Sequence, residues 1–340
     1  MKLALIGFGS VGKSFAKLLE RKRGEFPFSI TGIHTARHGT AYRAGGLTIE
    51  PEFGPAAASI EEFLSRSGAE TLVEITPLSP ADGEPAISHI RTAFSLGMHA
   101  VTANKGPIAH AYRELRAEAA RAGLQFRFES TVMDGAPVFN LVRRTLPGVT
   151  IHGFAGLLNS TANVAIAAMR RGRSLDEGIE EARRMGITEA DPAFDIDGWD
   201  SAVKGAALAN VLMDARVSPL DVDRRGIGRL TPERLHALRL KDKTVCLVTR
   251  GKRTAGGGVR LRVRAEVLDS SDLLAAPAGS SNLLLLHTDL MGTLGTVCLN
   301  PGVEQTAYGL FSDLVEITRQ PEFAARVSAA MGGSKPGDPR

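Results

Sequence analysis

The stretch Gly186 to Lys204, GITEADPAFDIDGWDSAVK, gathers Glu189, Asp191, Asp195, Asp197 and Asp200 and closes on Lys204. Asp200 and Lys204 stand four apart, the spacing that puts two side chains on one helical face. Val203, Ala206, Ala207, Val211 and Leu212 carry the helix on, and Asp191-Pro192 and Gly198 mark turns before it. A carboxylate beside an ammonium group can hold a small zwitterion and exchange a proton with it. Alone, the pattern also fits a helix with one surface ion pair, so the elements around it decide what it does.

The chain opens on a short apolar strand, Lys2 to Ile6, then Gly7-Phe8-Gly9-Ser10-Val11-Gly12, a helix from about Ser10 to Arg23, and a strand from Phe26 to His34. Strand, GxGxxG, helix, strand is the frame of a dinucleotide site. The first glycine permits the tight turn, the second lets a pyrophosphate reach the backbone, and the third lets helix and strand pack closely. The helix amino terminus then faces the anion. An NAD site wants Asp or Glu at the end of the second strand. This chain offers His34-Thr35-Ala36-Arg37-His38 and no acid before Glu50. Arg37, with Thr35 or His38 beside it, suits a 2′-phosphate, which favours NADP over NAD.

A strand over Thr71 to Thr76 ends at Pro77, and another over Met98 to Thr102 ends in Ala103-Asn104-Lys105-Gly106-Pro107. Ligands of a doubly wound sheet bind beyond the carboxyl ends of its strands. Thr76, Pro77, Asn104 and Lys105 are therefore placed beside a cofactor or substrate. A short helix is expected around 60–64, and further helices over 84–96 and 107–123. A strand at Gln125 to Phe128 leads into the crossover Glu129 to Pro137, with the first domain boundary at about residue 133.

Further on, a strand over Val149 to Leu158 precedes Asn159-Ser160-Thr161, which cap a helix from Ala162. Helices follow at Leu175 to Met185 and at the organising segment, then paired strands at Lys243 to Arg250 with Gly258 to Val267, and at Leu283 to Thr288 with Gly292 to Leu299. Leu261, Val263, Ala265 and Val267 alternate with charged residues, predicting one wet sheet face. The fold class is α/β: an amino-terminal Rossmann-type dinucleotide-binding domain over 1–133, and an α+β domain with a mixed or antiparallel sheet over 134–302. A helical segment, 303–330, is expected to return to the first domain, with a tail at 331–340.

The 340 residues carry a formal charge of +4, too small and spread out for a nucleic-acid partner. Cys246 and Cys298 are the only cysteines and read as buried thiols. No secretory leader and no 18-residue apolar run is seen, so the expectation is a cytoplasmic protein with no membrane partner and a small-molecule substrate.

GFGSVG at 7–12, VTANKGP at 101–107 and GITEADPAFDIDGWDSAVK at 186–204 together resemble the homoserine dehydrogenase family, over nearly the whole chain. The resemblance implies NAD(P)-dependent interconversion of L-homoserine and L-aspartate 4-semialdehyde. It gives proton transfer to Lys204, a second active-site ammonium to Lys105, substrate contact to Asp200 and the substrate amino group to Glu189. It also implies a monovalent cation such as sodium at Glu129, Val132, Asp134 and Ala136, mostly on backbone carbonyls, and a homodimer through the second domain. The chain departs from the family pattern at 77–83, 159–161 and 299–304. With 340 residues, the expectation is a short form without a regulatory ACT domain. A dehydrogenase of another short amino-acid aldehyde or alcohol, and a nucleotide-binding protein without catalysis, remain as alternatives at this point.

Overall fold

The switch in strand order that makes a ligand crevice lies at the very start of the chain. In the computed structural model, which describes residues 1–188 and 191–319, the first half runs β1 (Lys2–Ile6), α1 (Ser10–Arg21), β2 (Ser29–Thr35), β3 (Gly39–Tyr42), α2 (Ile60–Ser67), β4 (Thr71–Glu74), α3 (Ala86–Ser95), β5 (His99–Thr102), α4 (Gly106–Arg121) and β6 (Phe126–Arg127). The sheet order is β3-β2-β1-β4-β5-β6. The pairings are parallel except that of β3 with β2. β1 therefore has β2 on one side and β4 on the other, and the crevice opens beyond their carboxyl ends. The edge strand β3 was not expected. Its four residues, Gly-Thr-Ala-Tyr, are too short to show an alternating pattern.

Side chains of β1 alternate between two cores. Leu3 and Leu5 meet Phe15, Leu18 and Leu19 of α1. Ala4 and Ile6 join Phe63, Ile90, Ile108 and Leu115 from α2, α3 and α4. The last described helix, α11 (Val303–Thr318), returns to the first core. There Leu310, Leu314 and Ile317 are wholly buried and Phe311 lies edge-on to Phe26. Each such side chain contributes about 1.5–3 kcal/mol. α11 is the described part of the segment expected over 303–330. Residue 320 onward, and Glu189, lie outside the described residues.

The second half runs α5 (Phe139–Thr145), β7 (Ile151–Leu157), α6 (Ser160–Arg170), α7 (Leu175–Arg184), α8 (Ala193–Ile196), α9 (Trp199–Leu212), β8 (Asp223–Arg224), α10 (Pro232–Arg239), β9 (Lys243–Arg253), β10 (Val259–Asp269), β11 (Asn282–Thr288) and β12 (Thr293–Cys298). Its mixed sheet has the order β12-β11-β7-β9-β10-β8. The face expected to be wet is only partly so. Ala155, Leu157, Val248, Leu283, Leu285, Leu268 and Leu274 form a small cluster apart from the main core. β10 illustrates the cause: Leu268 is buried beneath Leu274 of the following turn, whereas Val267 is 46% exposed.

α9 is the central helix of this half. Ala202, Val203, Ala206, Ala207, Leu208 and Ala209 are all fully buried, so it is apolar nearly all round. Small residues let it lie close to the sheet; a Cβ on Gly205 would sit 2.9 Å from Thr249 Cγ2. Its other neighbour is α4, which leaves helical geometry at Ala111. There Asn210 of α9 donates to the carbonyls of Ile108 and Ala109 at 3.4 and 3.2 Å, and exchanges two bonds with Val217. One buried amide thus bolts the helix that follows Lys105 to the helix that carries Asp200 and Lys204.

Candidate active site

The glycine loop divides its labour as its spacing suggests. Gly7 has φ +97, and a Cβ there would lie 2.5 Å from the Ile75 carbonyl oxygen, so only glycine serves. A Cβ on Gly12 would meet Ile75 and Phe8 side chains at 3.1 and 3.2 Å, which keeps helix and strand close. Gly9 faces open space. No side chain caps the first N–H groups of α1, leaving donors aimed at an anion. Ser10 is exposed, Phe8 packs against the first core and Val11 lines the main cavity. These residues fit a dinucleotide. Arg37 is exposed just beyond β2, while the Thr35 hydroxyl already accepts the His38 N–H at 2.8 Å.

A cavity of about 960 Å³ opens at the carboxyl ends of β1, β4 and β5 and is closed by the second half. Thr76, Pro77, Asn104, Lys105, Asp134, Asp195, Asp200 and Lys204 all line it. Lys105 stands at the amino-terminal cap of α4, where the helix dipole disfavours a cation. Its compensation comes from the other half of the molecule: Nζ lies 2.9 Å from Asp200 Oδ1. The second oxygen, Oδ2, lies 3.0 Å from Lys204 Nζ. One carboxylate therefore bridges two ammonium groups drawn from separate halves of the molecule.

Further donors fix this triplet. Asn159 Nδ2 donates to Asp200 Oδ2 at 3.0 Å and to Asp195 Oδ1 at 2.6 Å, while its Oδ1 accepts the Ala162 N–H that begins α6. Lys204 also donates to the Leu158 carbonyl at 2.6 Å. Two of its three N–H bonds are spent inside the protein, which leaves one for a ligand. Burial would raise the Asp200 pKa, but the two ammonium groups hold it well below the carboxylate range. Burial would lower that of Lys204, and Asp200 and Asp134 outweigh it, so the pKa stands raised. Asp195 is raised by burial and by its neighbour Asp200.

Beneath the cavity lies a second carboxylate, Glu74, with no exposed surface. It accepts the Thr76 N–H at 3.0 Å, the Thr76 hydroxyl, and the Thr102 hydroxyl at 2.9 Å. Asn104 spans the gap between the two strand ends: Nδ2 donates to the carbonyls of Thr76 and Pro77 at 3.2 Å each, and Oδ1 accepts the Gly106 N–H at 2.9 Å. Asn104 thus sets the loop from which Lys105 projects. Asn159 and Asp195 had not been singled out as site residues. The sequence marks Asn159 as a helix cap within a loop that departs from the family pattern, and Asp195 as one acid among several.

In the crossover loop, the Glu129 carboxylate is committed to α5, accepting the N–H groups of Val138, Phe139 and Asn140 at 2.6, 2.9 and 2.6 Å. Among the described residues, no group of three His, Cys, Asp or Glu side chains is arranged for a metal. Among the described residues, the carbonyl oxygens of Val132, Asp134 and Ala136 accept no backbone hydrogen bond. Carbonyl oxygens without a backbone donor are the kind of ligand a hard cation takes.

Two family models match the chain: "Homoserine dehydrogenase, NAD binding domain" over residues 7–129 and "Homoserine dehydrogenase" over residues 137–315. The chain belongs to the homoserine dehydrogenase family. It is 33% identical over 338 residues to the homoserine dehydrogenase of Methanocaldococcus jannaschii, covering 93% of this chain and 98% of that one. It is 32% identical over 336 residues to the NAD(+)-dependent homoserine dehydrogenase of Pseudomonas canavaninivorans, covering 93% and 96%. Among solved structures, the homoserine dehydrogenase of Thermoplasma acidophilum superposes with a TM-score of 0.82 at 25% identity, covering 94% of this chain and 99% of that one. A hyperthermophilic archaeal homoserine dehydrogenase in complex with NADPH gives 0.78 at 27%, covering 93% and 97%. At the level of the family, the function is that of an NAD(P)-dependent homoserine dehydrogenase.

Proposed function

We propose that this chain interconverts L-homoserine and L-aspartate 4-semialdehyde at the Lys105–Asp200–Lys204 triplet, in the cytoplasm. The observation that carries the assignment is the bridging of Asp200 between an ammonium group from each half of the molecule, at 2.9 and 3.0 Å, inside the cavity beside the glycine loop. The loop Gly7 to Gly12 with Thr76, Pro77 and Asn104 would hold NAD(P), which supplies or accepts the hydride at C4. As the aldehyde is reduced, charge grows on its oxygen, and the free N–H of Lys204 faces it and gives up a proton. In the oxidation direction the same nitrogen, neutral, takes that proton back. Lys105 keeps N–H donors for the substrate carboxylate, and Asp200, Asp195 and Glu189 supply negative charge for its amine. Assays at 340 nm with L-homoserine and each cofactor test the reading. Cofactor binding with no turnover of homoserine, or turnover of another amino alcohol in its place, would overturn it.

NADP is the preferred cofactor in this reading, because β2 ends without an acid and Arg37 is exposed just beyond it. Replacing Arg37 by alanine is expected to raise KM for NADP about tenfold, as a charge-assisted bond of about 1.5–3 kcal/mol allows, and to leave KM for NAD nearly unchanged. Equal changes for both would count against a 2′-phosphate contact. The carbonyls of Val132, Asp134 and Ala136, with that of Glu129, support a sodium or potassium ion in the crossover loop. The cofactor-binding part is taken to end near residue 133 within that loop. A homodimer through the second sheet is supported by exposed apolar side chains around its β11–β12 edge: Leu290 (70%), Met291 (54%), Val297 (52%) and Leu299 (71%). A solution mass near that of the 36.1 kDa chain alone would remove the dimer from the account.

A further inference from the structure

Four non-glycine residues among those described hold a left-handed backbone: Asp134, Asp214, Asp242 and Asn300. The last three are exposed residues between regular elements, where Asp and Asn visit this region readily. Asp134, at φ +52, is different: it sits in the crossover loop and lines the substrate cavity. Glycine would hold the same backbone without the strain that a side chain brings there. A strained residue whose side chain points into a site suggests that the side chain has work there.

The donors of the cavity are unevenly shared. Asp200 takes Lys105 on one oxygen and Lys204 and Asn159 on the other. Asp195 takes Asn159 at 2.6 Å. Asp134 has the Asn282 amide 3.4 Å from Oδ2 and the Thr306 hydroxyl alongside, while the charges of Lys204 and Lys105 act on it from farther off, with no ion pair to it among the described residues. A largely buried carboxylate with so few donors is costly unless a cation or N–H group completes it.

Resting on the function proposed above, we infer that Asp134 receives the α-ammonium of the substrate and so selects an amino alcohol over the same alcohol without the amine. An ammonium group has three N–H bonds, so Asp134 acts as a further acceptor beside the acid of the 186–204 segment. The assignment concerns its side chain; the Asp134 carbonyl proposed for the cation is a separate atom.

The test compares L-homoserine with 4-hydroxybutanoate in the wild type, Asp134→Asn and Asp134→Gly. Where 4-hydroxybutanoate turns over too slowly, its inhibition constant against homoserine serves. Both variants are expected to lose about tenfold or more in kcat/KM for homoserine, mainly through KM, as loss of a charged hydrogen bond implies. The value for 4-hydroxybutanoate should change less than about threefold on the same reasoning. Asp134→Gly should melt no lower than the wild type, since it relieves the backbone, which separates binding from folding. An unchanged KM in Asp134→Gly, equal losses on both alcohols, or rescue by added sodium or potassium would overturn the assignment. A wild type inert toward homoserine would instead sink the function on which it rests.

Discussion

Lys204→Ala is expected to lower kcat by about 10²–10⁴-fold, the range for losing a positioned proton donor, with little change in cofactor affinity. The fold should survive, because Asp200 keeps Lys105 and Asn159 as partners at 2.9 and 3.0 Å, and the glycine loop lies in the other half of the molecule. The pH profile carries the same information. Burial works against the ammonium form of Lys204, but Asp200 and Asp134 more than offset it and raise its pKa. Reduction, which needs the proton on nitrogen, should be level through neutrality and fall as pH rises through that raised value. Oxidation, which needs the neutral amine, should gain over the same alkaline range. The linkage has the matching sign: with a folded pKa above the unfolded one of about 10.4, the pair's stabilisation is complete below the unfolded value and lost as pH rises through the folded one. Lys204→Ala should lack this alkaline behaviour. Turnover near the wild-type rate, or a loss of NAD(P) affinity as large as the loss in kcat, would end the proton-transfer role.

Asp200→Asn should be damaging in two ways at once. It leaves two ammonium groups, 22% and 12% exposed at Lys105 and Lys204, without their shared counter-ion. Breaking a buried pair by removing one partner costs about 3–5 kcal/mol, and the partial exposure of the lysines places this case near the lower end. Denaturant unfolding should show it. The same change withdraws the charge that raises the Lys204 pKa, so the alkaline limb of the rate profile should move to lower pH. Asp200 itself is held low by the two ammonium groups against the effect of burial. Its contribution to stability is therefore present above the unfolded value of about 3.9 and lost as pH falls through the depressed folded value. The variant should be less sensitive to acid over that interval. An Asp200→Asn protein with wild-type unfolding and an unmoved pH profile would show that the bridge is ornamental.

Local chemistry was legible in the sequence, and tertiary chemistry was not. The glycine loop could be read because its three roles belong to consecutive residues and one strand–helix turn. Asp200 and Lys204 could be paired because helical spacing alone brings them together. The union of Lys105 with Asp200 spans 95 residues of chain, and only a motif resemblance hinted at it. Asn159 shows the limit well. Its type and place gave away the helix cap made by Oδ1, while the amide nitrogen, free to reach 36 and 41 residues ahead to Asp195 and Asp200, left no mark in the order of residues. Asp134 was noted for its backbone; its left-handed φ and the cavity before its side chain emerge only from folding. The strand pattern of β10 misled because alternation describes one strand, whereas burial of Leu268 depends on Leu274 arriving from the turn beyond it.

The return of α11 makes the nucleotide-binding half a discontinuous object. Leu310, Phe311, Leu314 and Ile317 complete a core begun by Leu3, Leu5 and Phe15 some three hundred residues earlier. A fragment cut at residue 133 would expose that surface to water and be prone to aggregate, whereas one joined through a short linker to 303–318 would have its missing wall restored. Among the described residues the chain also crosses between the halves twice, near 129–137 and near 299–303, so opening of the cleft is a rotation about a two-stranded hinge rather than a free swing.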